Sequence, residues 1–136
     1  MDHPSLEERL ELTQLVIALL DSWGLRDADQ IPVLGLPDGT KSRMIRRFRQ
    51  DTPLPQDRDV MERVDHLVGI ADALRTTYPH NPAYGSLWMR RPNSRFDNRP
   101  PIIILTQNGL PGLLELRAHL DCSFDWFLDD RSRQAE

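Results

Sequence analysis

The chain has 136 residues, 39% of them hydrophobic and 28% charged, with eleven prolines and a formal net charge of -4. That is the make-up of a globular chain of about one domain's length, and proline at that frequency marks element boundaries. No stretch reaches the roughly 18 apolar residues of a membrane span, and the opening Met1 to Arg9 lacks the basic and apolar segments of a secretory leader, so a cytoplasmic protein is expected.

A lone cysteine, Cys122, excludes an internal disulfide, in keeping with a reducing compartment. The acidic total argues against a uniformly basic nucleic-acid binder, but the charge is uneven. Lys41, Arg43, Arg46, Arg47 and Arg49 fall within nine positions free of acidic residues.

In chain order, Ser5 and Glu8 form a capping box ahead of Leu6, Leu10, Val16, Leu19, Leu20 and Trp23, which predicts an amphipathic helix ending at Gly24. A short second helix fits between Asp29 as cap and the turn Gly35 to Gly39, with Pro32 in its first turn. Thr40 is the expected cap of a third helix, in which Met44, Ile45 and Phe48 share one face and the arginines take the others.

After the breaker "DTPLPQD", Val60, Val64, Leu67, Ala71, Leu74 and Tyr78 predict a long core helix that stops before Pro79. Asn81 and Pro82 supply the start of a short helix carrying Leu87 and Trp88. An arginine- and proline-rich elbow follows, within the stretch Ser86 to Leu105. The run "PPIIIL" fits a buried strand or a short buried helix by pattern; its isolation favours the helix. Gly109 and Pro111 separate it from a last helix with the stripe Leu113, Leu116 and Leu120. The reading is all-α, with about seven helices.

Catalysis has little support. The four histidines are scattered, the "HLDC" of His119 to Cys122 is the nearest approach to a metal-ligand spacing, and the Glu62 and His66 pair is ordinary helix-surface electrostatics. No nucleophile motif, phosphate loop or dinucleotide fingerprint occurs, so neither an enzyme nor a metal or cofactor protein is expected.

Two stretches remain as binding candidates. A short helix, a glycine-containing turn and a basic helix would deliver Lys41, Ser42, Arg43, Arg46, Arg47 and Arg49 to a DNA groove; a solvated cationic face is the equal alternative. The elbow combines arginine, aromatic and proline residues, the types that dominate the energetic centres of protein interfaces. Trp88 also reads as a core anchor, and Arg99 as a side chain that caps nearby carbonyls.

The order of these features resembles the MbcA/ParS/Xre antitoxin family over about Leu12 to Trp126. The most specific part is C-terminal: Trp88, Pro92-Asn93, the polar loop Phe96 to Asn98, Arg99-Pro100, Ile102 to Leu105, Gly109-Leu110 and Leu120-Asp121. The N-terminal part is similar to the family's Xre-type helix-turn-helix, "VLGL" standing at the entry to the turn and "SRMIRRFRQ" at the recognition helix. The chain departs from that pattern in its extra Pro37-Asp38-Gly39 turn and at Ile103, where relatives often carry Asp.

The resemblance implies an Xre-like helix-turn-helix domain over 1-78, a toxin-binding module over 79-128 and a polar tail over 129-136. It further implies a non-enzymatic antitoxin of a type II toxin-antitoxin pair, whose partner is a RES-domain toxin that destroys NAD. The antitoxin would dimerise, repress its own operon through operator DNA, and block the toxin's pocket with its C-terminal segment. Trp88, Asn93, Arg95, Phe96, Arg99, Arg117, Leu120, Asp121, Phe124 and Trp126 are the residues implied at the toxin interface.

Overall fold

The computed structural model describes residues 4-134, and the side chains of residues 4-121. Within them the chain is all-helical: α1 (Leu6–Ser22), α2 (Asp27–Val33), α3 (Ser42–Gln50), α4 (Arg58–Thr77), α5 (Tyr84–Arg90), a 3-10 turn (Ser94–Phe96), α6 (Pro101–Gln107) and α7 (Gly109–Gln134).

The capping box forms as expected, with the Ser5 hydroxyl oxygen accepting the Glu8 N–H at 3.1 Å. The apolar stripe starts later than the sequence suggests. Leu6 is 60% exposed, while Val16, Ile17, Leu20 and Trp23 are buried. The loop after α3 crosses α1 at Arg9 and Thr13, and the first turn lies beyond that cover.

Helices α1 and α2 end in the same way. The Leu25 N–H donates to Leu20 O and the Gly24 N–H to Asp21 O, while the Leu36 N–H donates to Ile31 O and the Gly35 N–H to Pro32 O. These paired bonds satisfy the last carbonyls only if the residue after the C-cap turns left-handed, and Gly24 and Gly35 do so at φ 86° and 69°. Because α1 stops at once, α2 begins at Asp27 rather than after Asp29, whose carboxylate instead pairs with Arg26 Nε at 3.2 Å. Pro32 thus falls near the end of α2 rather than in its first turn, where one further helical bond is lost.

Helix α3 starts at Ser42 with Lys41 as N-cap; the Thr40 hydroxyl, expected to cap it, donates backward to Pro37 O at 2.6 Å. The following loop is fastened to α1. Thr13 Oγ1 donates to Arg9 O and accepts the Leu54 N–H, both at 2.8 Å, and Leu54 is buried.

Helix α4 is central, packing on α1, α5 and most extensively on α7. Its buried row is Val60, Val64, Leu67, Ile70 and Leu74; Ile70 takes the place expected for Ala71, and Tyr78 is largely exposed. The turn at Asn81 precedes α5, which begins at Tyr84 with Ala83 as its cap; Asn81 Oδ1 accepts the Ala83 N–H at 3.2 Å. Met89, not Leu87 or Trp88, is the fully buried residue of α5. The "PPIIIL" run is α6, with Ile104 and Leu105 in the core, and Leu113, Leu116 and Leu120 of α7 close over it. A single apolar core thus joins elements on both sides of residue 78, and 129-134 continue α7.

Candidate interaction sites

The six basic-helix candidates divide. Ile45 and Phe48 bury one face of α3 against α1 and α2, which fixes where the other side chains go. Among the described residues, Lys41, Arg43, Arg46 and Arg47 make no side-chain hydrogen bond or ion pair. Arg49 is engaged instead. Its Nε and Nη2 donate to the two Asp21 oxygens at 3.0 Å each, and Nη2 also donates to Asp27 Oδ1 at 2.8 Å.

Gln30, fully buried, joins the same cluster by donating to Asp21 Oδ1 at 2.7 Å and to Leu25 O at 3.1 Å. Burial alone would raise the Asp21 carboxyl, but the hydrogen bonds from Arg49 and Gln30 outweigh it and hold the group below the usual carboxylate range. Arg49 is therefore a clamp from α3 onto α1 and α2 rather than a free cation. Sequence reading missed this, because the acids stand 22 and 28 positions away.

The elbow is a closed loop. Asn93 organises it: its Oδ1 accepts the Arg95 N–H at 3.0 Å, its carbonyl accepts the Phe96 and Asn98 N–H groups at 2.9 Å each, and its own N–H donates to Arg99 O at 3.3 Å. Asp97 and Asn98 close it in left-handed conformation at φ 57° and 61°. These are the non-glycine types that best tolerate that region.

Closure drives Phe96 inward, to 4% exposure. Its ring meets the His119 ring of α7 edge-on at 5.2 Å and that of Trp88 edge-on at 6.4 Å. The elbow is thereby docked on α7 through three rings. Burial there, with the charge of Arg95, lowers the His119 pKa. Trp88 is half-buried in this cluster, and Arg99 does cap a carbonyl, its Nε donating to Phe96 O at 3.1 Å.

No family model matches the chain. Over 103 residues it is 30% identical to the uncharacterized protein y4oB of Sinorhizobium fredii (strain NBRC 101917 / NGR234), an alignment covering 76% of each chain. The chain belongs to the y4oB family.

In this y4oB-family chain the remaining interface candidates separate. Arg117 faces α4: its Nη1 meets His66 Nδ1 at 3.0 Å and donates to Asp65 Oδ2 at 3.3 Å, and its Nε lies 4.0 Å from Asp121 Oδ2. Leu120 is a core residue, 7% exposed, and Asp121 is exposed. Trp88, Asn93, Arg95, Phe96 and Arg99 are brought together by the elbow; Arg117 lies on the opposite flank of α7 from His119. Phe124, Trp126 and Cys122 lie outside the residues whose side chains are described. No helix among the described residues is long and apolar enough to cross a membrane.

Proposed function

We propose that the chain is the antitoxin of a type II toxin-antitoxin pair, neutralising a RES-domain NAD-degrading toxin through its C-terminal module. The observation that carries this reading is the docking of the closed elbow on α7 through Phe96, Trp88 and His119. It seats the middle of α7, just before Leu120, against the elbow, and the helix continues past that seat to Gln134. Arg95 stands exposed near His119 at that seat, available to acidic groups of a partner. The similarity to MbcA/ParS/Xre antitoxins in the order of Trp88, Pro92-Asn93, Arg99-Pro100 and Gly109-Leu110 supports the same partner. The antitoxin is not itself an enzyme and acts in the cytoplasm as a homodimer within the toxin complex.

The deciding experiment is growth rescue with co-purification: the full chain, and a chain cut after Asp121, each expressed with the protein encoded beside it. Rescue and co-purification by the full chain, with loss of rescue in the cut chain, are expected. Neutralisation that survives the cut would exclude occlusion by the C-terminal segment.

A second reading, operon repression through an Xre-like helix-turn-helix, is favoured by Lys41 at the N-cap of α3 and by Arg43, Arg46 and Arg47 on it, which have no side-chain partner among the described residues. The eight residues 34-41 between α2 and α3 exceed the three or four of a simple helix-turn-helix, the extra Pro37-Asp38-Gly39 lengthening the turn. Binding of the chain's own promoter, with a salt slope that falls by about 0.9 for each phosphate-contacting cation removed, is the expected behaviour. A salt-independent or undetectable affinity would leave these cations as a solvated face.

A further inference from the structure

Beside α3 the lengthened turn does more than connect. Leu36, Met44, Phe48 and Pro55 floor a groove of about 830 Å³, and Lys41, Arg43 and Arg47 form its wall. Leu36 and Phe48 are core residues, 7% and 3% exposed, and anchor the floor from beneath, while Pro37, Met44 and Pro55 supply its accessible apolar surface. Among the described residues no carboxylate lines the groove, and none of the three cations has a hydrogen-bond or ion-pair partner.

We propose that this groove binds a nucleotide, its phosphates on Arg43, Arg47 and Lys41 and its base against the apolar floor. Arg43 and Arg47 are four residues apart on one helix face and so stand side by side. One carboxylate would leave one of two adjacent guanidinium groups unsatisfied, whereas a di- or triphosphate offers an oxygen set to each. A free polyphosphate has no use for the apolar floor, and a duplex presents its phosphates on a convex ridge with no ring to place there. A flat heterocycle joined to two or more phosphates uses both parts.

The site stands on the groove itself and does not require DNA binding. If α3 does contact an operator, the same cations serve both ligands, and the nucleotide would release the DNA.

The test is a titration of the full-length protein, without magnesium, with ATP, tripolyphosphate and adenosine, followed by calorimetry and by amide and methyl NMR. Expected are shifts centred on Gly39, Thr40 and Met44, and a Kd for ATP at least about tenfold below that of either half-ligand. Arg43→Ala with Arg47→Ala should raise the ATP Kd at least about tenfold at unchanged melting. Should the double variant melt early, Arg43→Gln alone carries the same expectation. Tripolyphosphate binding as tightly as ATP would reduce the site to surface counter-ion binding. Shifts centred elsewhere, or affinities untouched by the arginine changes, would overturn the proposal. A competition assay with promoter DNA reads the release separately, so its failure leaves the titration result standing.

Discussion

Arg49 and Asp21 form a two-pronged pair, both contacts at 3.0 Å, that joins the last turn of α3 to the last turn of α1. Both side chains are more than a third exposed, so the pair is worth at most about 1 kcal/mol. Together with Asp27 it ties the end of α3 to the end of α1 and the start of α2. Under the proposed operator contact, Arg49→Ala should lower promoter affinity while leaving the salt slope unchanged, whereas Arg43→Ala should reduce the slope. Filter binding at several salt concentrations separates the two.

The same pair sets an acid limb. The folded-state Asp21 pKa lies below its unfolded value near 3.9, so its stabilisation is present above about pH 4 and is lost as pH falls through the folded pKa. Asp21→Asn should make the unfolding free energy less dependent on pH below about 4, as measured by urea unfolding across that range.

Thr13 is the pin that holds the loop after α3. Thr13→Val keeps the shape but leaves the buried Leu54 N–H without an acceptor, at a cost of about 1–3 kcal/mol. Urea titration should show a lower midpoint at unchanged slope. Threonine in mid-helix gives no hint of this in the sequence, because its partner lies 41 residues away.

At Gly112 the start of α7 passes close against α6. A Cβ there would strike the Ile104 carbonyl oxygen and come within 3.0 Å of Asn108 Cβ. Backbone cannot swing aside as a long side chain can. Gly112→Ala should therefore destabilise by about 1–3 kcal/mol, in spite of alanine's better helix propensity, as read by thermal melting.

His119 gives the elbow a pH response. Burial against Phe96 and Trp88, with the Arg95 charge, depresses its folded-state pKa below the unfolded value near 6.5. The unfolded chain then binds more protons in that window, so stability is full above about pH 6.5 and declines as pH falls toward the folded pKa. His119→Phe should flatten the melting temperature between about pH 5 and pH 7 relative to the parent chain.

What the sequence by itself determined is the set of local elements. The Ser5 capping box, the glycine stops at Gly24 and Gly35, the period of Val60, Val64, Leu67 and Leu74, and the proline breaks need only near neighbours, and these physical rules act within a few residues. Helix starts were less legible. Asp29, Thr40 and Asn81 are all good caps by type, yet each chain segment begins its helix where the preceding turn delivers it.

The tertiary structure alone decided which charged and aromatic side chains are free. Arg49 and Arg43 are alike in sequence, but only Arg49 lies beside the two carboxylates at the end of α1 and the start of α2. Phe96 is one aromatic in a polar loop until Asn93 closes that loop and turns it onto His119. The groove beside α3 likewise brings Leu36 and Phe48, twelve residues apart, together with Lys41, Arg43 and Arg47. Such pairings depend on how separate helices pack, which no local pattern encodes.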